Sequence, residues 1–235
     1  MKNSVDIILP VYREQGNIER VLDGIKKNVK SNATIHLVFH SKNDPTIPVV
    51  KKILKKYRNI NMLVSPKKGL AGQFVYGFSK THAPVIVIMM SDLSDNPRDI
   101  DKMVKKIHSG FDLVCASRYI RKGQRNGGSK VKAFLSYIGC ESLYMFTGIK
   151  SHDATNAFKV FRRSLLNQIH IESKVGYELP LEIIVKSHLA GAKITEIPTV
   201  WTERDKGYSK FKLLRYIPNY LRWYLYGIRK HFLHF

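Results

Sequence analysis

The feature that most constrains this chain is the segment at residues 85–97, VIVIMMSDLSDNP. Its uncharged, β-branched start has the length and composition of a strand buried on both faces. Such strands belong to parallel sheets covered by helices above and below. The run ends on two carboxylates, Asp92 and Asp95, interleaved with Ser91 and Ser94. In open α/β sheets, ligands bind outside the carboxyl ends of the strands. Hard oxygen ligands at that edge suit Mg²⁺ or Mn²⁺, which in turn hold phosphates. Asp95-Asn96-Pro97 is also a good helix start, so the segment alone fits a strand followed by a capped helix equally well.

The rest of the chain repeats the β-α rhythm. Apolar runs at residues 5–9, 35–39, 61–64 and 113–116 read as strands. Between them, Ile18, Val21, Leu22, Ile25 and Val29 mark one helix face, Val50, Ile53, Leu54 and Tyr57 a second, and Ile100, Met103, Val104 and Ile107 a third. A glycine-containing helix is expected at residues 70–80. This order predicts a mostly parallel sheet with helices on both faces. Residues 120–132, rich in Arg, Lys and Gly, read as a mobile basic loop. Helices at 132–146 and 179–189 and a strand at 193–200 are expected to complete the sheet, with no separate second domain.

Charge narrows the partners. Forty Lys and Arg against eighteen Asp and Glu give a formal net charge of +22, which implies an anionic partner. Nucleic acid, anionic lipid and phosphorylated substrates all qualify. No zinc-finger spacing, RRM motif or basic zipper is present, so nucleic acid is not expected. Cys115 and Cys140 lie in apolar surroundings and read as buried free thiols of a reducing compartment. The amino-terminal apolar run is too short for a signal peptide, and no run is long enough to span a bilayer.

Four further constellations can carry chemistry. Pro10, Tyr12 and Glu14 follow the first strand, where an aromatic and a carboxylate can hold a nucleoside; they equally fit a surface turn. Ser117-Arg118-Tyr119 ends another strand, and Arg118 can fork onto a diphosphate or stand as a solvated charge. The polar run at residues 152–159, with Asp153, Thr155 and Asn156, is a site candidate or a capped turn. Residues 201–211, with Arg204, Ser209 and Lys210, can grip phosphate or form a glycine-hinged surface loop.

Taken together, the five groups resemble family 2 glycosyltransferases of the GT-A fold, in the branch of dolichyl- and polyprenyl-phosphate sugar synthases, over nearly the whole chain. The family's P-x-Y-N-E-x-x-N-I is met by residues 10–18, its D-A-D-L-Q-x-x-P by residues 90–97, and its G-S-R-Y by Ala116-Ser117-Arg118-Tyr119. Its D-x-T-S-G-F corresponds to residues 153–158, and its closing E-V-P, R and G-x-S-K to Glu196-Ile197-Pro198, Arg204 and residues 207–210. Two departures stand out. Residues 39–46, FHSKNDPT, replace D-D-G-S-x-D-x-T, so the carboxylate that usually meets the base is missing. Met90 replaces the first acid of D-x-D.

The resemblance implies an α/β GT-A domain over residues 1–212 and a metal-assisted, inverting transfer from a nucleotide diphosphate sugar to a polyprenyl phosphate. Pro10, Tyr12, Glu14 and Asp92 would bind the donor. Asp92, with Ser94 or Asp95, would hold Mg²⁺ or Mn²⁺. Arg118 would add charge at the diphosphate. Arg204, Ser209 and Lys210 would hold the acceptor phosphate. An ionised phosphate needs no strong base, whereas a glycan hydroxyl would, and Asp153 and Glu178 are the candidates for that alternative. The lost acids also leave open a silent nucleotide-binding domain.

At residues 213–235, Ile217, Leu221, Tyr224, Leu225, Ile228 and Phe232 recur at helical spacing among Arg222, Arg229 and Lys230. Pro218 is expected to start this amphipathic helix. Aromatic and basic residues together suit a headgroup layer, and an apolar stripe also suits packing on the domain. The expected location is cytoplasmic, peripheral at the inner face of an anionic membrane.

Overall fold

The computed structural model describes residues 4–203 and 213–233. In chain order the elements are β1 (Ser4–Val11), α1 (Ile18–Asn28), β2 (Asn32–Phe39), α2 (Thr46–Ile53), β3 (Ile60–Val64), α3 (Gly69–Lys80), β4 (Val85–Ile88), α4 (Ile100–His108) and β5 (Leu113–Ser117). There follow β6 (Gln124–Asn126), α5 (Lys130–Thr147), β7 (Lys159–Arg162), α6 (Arg163–Gln168), α7 (Leu179–Leu189), β8 (Ile194–Pro198), β9 (Val200–Thr202) and α8 (Leu213–Leu233). The main sheet has the order β3-β2-β1-β4-β7-β5-β8. Its middle strand is β4, all of whose residues are buried, as its uncharged sequence requires.

Side-chain alternation along the strands feeds two cores. Ile7, Leu9, Phe39 and Val87 pack on one face with the apolar stripes of α1, α2 and α4. Ile8, Val38, Ile86 and Ile88 pack on the other with Phe74 and Phe78 of α3, Leu143 of α5, Ile184 of α7 and Trp223 of α8. The pairs β1–β2, β1–β4, β2–β3 and β5–β8 are parallel. β7 runs antiparallel between β4 and β5, so its start, not its end, lies at the carboxyl edge of its neighbours.

Several boundaries differ from those the sequence suggests. The basic segment at 120–132 is not a plain loop. It contains β6, which pairs in parallel with β9, and Arg125 lies 4.5 Å from the Trp201 ring centre. Thr199 splits the expected long final strand into β8 and β9; its hydroxyl donates to Asp99 at 2.8 Å. α8 starts at Leu213 and contains Pro218 internally. Because it lies beyond the first turn, the proline's missing N–H costs one intrahelical bond.

One face of α8 is packed. Trp223 is buried, Tyr220 donates its hydroxyl to the Tyr177 carbonyl at 2.5 Å, and Tyr224 donates to Ser142 Oγ at 2.9 Å. The other face, with Ile217, Leu221, Leu225 and Phe232, is exposed. Among the described residues, no helix is long and apolar enough to cross a membrane.

Candidate active site

Residues that follow β1, β2, β4 and β5, and those that precede β7, meet along one edge of the sheet. After β4 the chain makes a tight polar turn. Ser91 donates its hydroxyl to the Pro10 carbonyl at 2.5 Å, tying the turn to β1. Ser94 donates its N–H and hydroxyl to Asp92 Oδ1 at 3.2 and 2.5 Å, which fixes that carboxylate. Asp95 Oδ2 accepts the Met90 N–H at 2.8 Å. Leu93, between the acids, has φ +67, a left-handed conformation that a branched side chain adopts only when its surroundings impose it. A small cavity behind the turn shares Ser94 and Asp95 and is bounded by Arg20, Gly24 and Thr202.

The electrostatics of this turn are strained. Burial pushes the Asp95 carboxyl up to about 7, and the nearby Asp92 and Asp153 charges push the same way, against the Met90 N–H and Arg118. Three carboxylates therefore share a region with one buried guanidinium. Among the described residues, no three His, Cys, Asp or Glu side chains form a ready-made metal cage. This donor set fits Mg²⁺ or Mn²⁺, which bind through one or two carboxylates plus substrate phosphates and rarely need an all-protein cage.

Arg118 and Asp153 form a buried fork. Arg118 Nε and Nη2 donate to the two Asp153 oxygens at 2.7 Å each, and the Arg118 backbone N–H adds a third bond at 2.9 Å. The side chains are 10% and 0% exposed. Burial opposes the Arg118 charge, but the Asp153 carboxylate outweighs it and holds the guanidinium ionised above its ordinary range. The loop carrying Asp153 is pinned from several sides. Lys159, wholly buried, donates to the carbonyls of Ala154 and Asn156 at 3.1 and 2.6 Å. Asn156 donates to the Ala116 carbonyl at 2.8 Å. Glu196 accepts from the His152 N–H at 2.9 Å and from its ring Nδ1 at 2.6 Å. Glu178 lies at the start of α7, where its carboxylate accepts the N–H groups of Val175 and Gly176 at 3.3 and 3.0 Å.

On the β2 side, Tyr12 is partly exposed and its ring meets His40 edge-on at 5.1 Å. Glu14 is buried and accepts from Asn17 Nδ2 at 2.7 Å. Arg13, at φ +57, donates its N–H to Asp44 at 3.0 Å, and Asp44 also caps Thr46 N–H at 2.9 Å. Gln73 reaches from α3 to the carbonyls of Val11 and Val38 at 2.9 and 2.6 Å, locking the ends of β1 and β2 together. Asp44 and Gln73 were not singled out from the sequence, and Lys159 only as the end of the 152–159 run, with no role of its own. The Asp44-Pro45-Thr46 turn carried a readable signal; a buried Gln or Lys that bonds carbonyls carries none.

The structure thus brings Pro10, Asp92, Ser94, Asp95, Arg118 and Asp153 together, with Tyr12 and Glu14 at the neighbouring strand end. Arg204, Ser209 and Lys210 lie outside the described residues. The site adjoins an apolar surface that the sequence did not single out. Ser136 of α5 shares a hydrogen bond with Thr155 at 2.8 Å, and Thr155 in turn accepts from Arg118 at 3.3 Å. From there α5, which packs against α8 through the Tyr224–Ser142 bond, exposes Val131, Phe134, Leu135, Ile138, Met145 and Phe146.

With this geometry in place, likeness to known proteins is informative. The dolichol-phosphate mannosyltransferase of Pyrococcus furiosus is 26% identical over 230 residues, covering 93% of this chain and 64% of that protein. The chain therefore spans about two thirds of that relative's length. The polyprenol monophosphomannose synthase of Mycolicibacterium smegmatis is 24% identical over 212 residues, covering 87% of this chain and 79% of that one. The undecaprenyl-phosphate 4-deoxy-4-formamido-L-arabinose transferase of Salmonella choleraesuis is 24% identical, covering 91% and 64%. Among solved structures, glucosyl-3-phosphoglycerate synthase from Mycobacterium tuberculosis with Mn²⁺, UDP and its product superposes with a TM-score of 0.70, at 14% identity, over 97% of this chain and 80% of that one; this likeness establishes the fold. The model of glycosyl transferase family 2 matches residues 6–170, and this chain belongs to that family.

Proposed function

We propose that this protein transfers a sugar, with inversion, from a nucleotide diphosphate sugar to a polyprenyl phosphate. Tyr12 and Glu14 hold the nucleoside at the end of β1. Asp92, oriented by Ser94, holds a Mg²⁺ or Mn²⁺ ion with Asp95 beside it; when bound, the ion neutralises charge on the departing diphosphate. The guanidinium of Arg118 raises the positive potential at the same edge. Arg204, Ser209 and Lys210 form the acceptor-phosphate set of this reading on sequence grounds.

The observation that carries the acceptor assignment is the engagement of Asp153 and Glu178. A hydroxyl acceptor requires a base, and these were the two candidates. Asp153 is locked onto Arg118 by three bonds and has no exposed surface. Both Glu178 oxygens are engaged by the N–H groups of Val175 and Gly176 in the turn before α7. A phosphate acceptor is already ionised and requires neither. The apolar face of α5, which begins beside Thr155, supports an isoprenoid acceptor and a docking surface at an anionic bilayer. Exposed apolar side chains on adjacent helices, interspersed with cations, suit that interface.

The test is direct. Radiolabelled nucleotide sugars are supplied with polyprenyl phosphate in phosphatidylglycerol vesicles, with Mn²⁺ or with chelator. Label should pass to the lipid phase only with metal. Transfer to a glycan hydroxyl with none to the lipid, or full turnover in excess chelator, would overturn the reading.

A further inference from the structure

The order β3-β2-β1-β4 reverses direction at β1, because the chain first steps outward to β2 and β3 and then returns to β4 on the other side. Ligands of open α/β sheets occupy the crevice opened by such a reversal. Here the acids Asp92 and Asp95 follow β4 on one bank, and His40 follows β2 on the other. A nucleoside diphosphate whose phosphates lie at the acids extends its base across the end of β1, over Tyr12, toward His40.

His40 is held for such a contact. Its backbone N–H donates to the Val11 carbonyl at 3.3 Å, continuing the β1–β2 ladder by one residue. The Gly69 N–H donates to His40 Nδ1 at 3.4 Å, from a glycine at φ +87 that only a residue without Cβ adopts readily. With Nδ1 accepting, the proton of the neutral ring sits on Nε2. Nε2 has no partner among the described residues. The Tyr12 and His40 rings stand at 88°, so one planar ligand can lie against the first and meet the edge of the second. The Arg13 guanidinium, 5.6 Å from the Tyr12 ring centre, belongs to an exposed side chain that a base can displace.

We propose that His40 reads the base of the donor as a hydrogen-bond donor, through Nε2–H, and so selects cytosine over uracil. Cytosine presents two adjacent acceptors, O2 and N3. Uracil carries a proton at N3, which meets Nε2–H as like against like. The inference rests on the nucleotide-sugar reading and assigns the base that reading leaves open.

Calorimetric titration of CDP and UDP, with Mn²⁺ in excess, tests it on the wild-type chain, His40→Ala, His40→Asp and His40→Gln. The wild type should bind CDP about tenfold more tightly than UDP, the value of one neutral hydrogen bond. His40→Gln, whose amide can donate to cytosine N3 or turn to accept from uracil N3–H, should narrow the preference and serves in place of His40→Asp if that variant fails to fold. His40→Ala should level the two, and His40→Asp, which accepts from uracil N3–H, should favour UDP. A CDP-to-UDP ratio unchanged across the folded variants overturns the role of His40. If neither nucleotide binds the wild type, and GDP and ADP also fail, the nucleotide-sugar reading falls and this inference with it.

Discussion

The Arg118–Asp153 fork yields a sharp energetic prediction. Three charge-assisted bonds of 2.7–2.9 Å join the pair, and side-chain exposures of 10% and 0% leave almost no water to compensate a missing partner. Removing one side of such a buried pair typically costs about 3–5 kcal/mol, because the other charge stays behind uncompensated. Asp153→Leu should therefore lose about 4 kcal/mol in urea unfolding. Arg118→Met should lose about 3 kcal/mol, with the backbone N–H of residue 118 still satisfying one Asp153 oxygen. The double substitution leaves no charge stranded and should cost less than the sum by at least about 3 kcal/mol. Asp153→Asn, which keeps the shape, should fall between wild type and Asp153→Leu, guarding against a single variant too unstable to measure. Additive single effects within about 0.5 kcal/mol would refute the reasoning, since independent sites add to that tolerance. So would a loss below about 1 kcal/mol for Asp153→Leu.

Other expectations follow from the same contacts. Asp92→Asn should lower sugar transfer at least about 100-fold while the melting temperature stays within a few degrees; near-full activity would remove Asp92 from the metal site. Asp95 is a carboxylate whose folded pKa is raised to about 7. Between roughly pH 4 and pH 7 the folded state thus holds a proton the unfolded chain has lost, so the group lowers stability as pH rises through that window and no further above it. Asp95→Asn should flatten this part of a stability–pH profile measured by thermal unfolding, and an unaltered slope would contradict the assignment. Trp223→Ala should cost about 3–5 kcal/mol in urea unfolding, whereas a helix that merely hung from the domain would give almost no change. Leu135→Glu with Leu221→Glu should reduce co-sedimentation with phosphatidylglycerol vesicles severalfold without lowering the melting temperature, and unchanged binding would separate this surface from any membrane.

Much of the fold was legible because its signals are local. The uncharged run of β4 announces a strand covered on both faces, and the 179–189 helix was read at the limits it has in the structure. The acids after β4 were legible as a candidate site because they stand where a buried strand stops. What escaped the sequence depends on direction and on tertiary partners. The four residues of β7 give no sign that they run backward, since a strand pattern is the same read either way. Val131, Phe134, Leu135 and Ile138 have the spacing of a core-facing stripe, yet they point outward because α5 buries Cys140 and Leu143 instead. The sequence leaves Arg118 available for phosphate, and only the fold reveals that Asp153, thirty-five positions away, takes two of its three guanidinium nitrogens.

The reversed strand has a consequence for how this architecture can vary. Between the end of β5 and the start of β7 the chain leaves the sheet and re-enters it at the same edge. Everything between, including β6 and the whole of α5, is an excursion with both feet at the site. Its length is therefore uncoupled from the sheet's register. A turn added to or removed from the outer part of α5 shifts neither Arg118 nor Asp153, because each foot is anchored independently, one by the β5–β8 ladder and the other by Lys159, Asn156 and Glu196. The exposed apolar surface of α5 can thus be lengthened, shortened or recomposed while Arg118 and Asp153 stay in place.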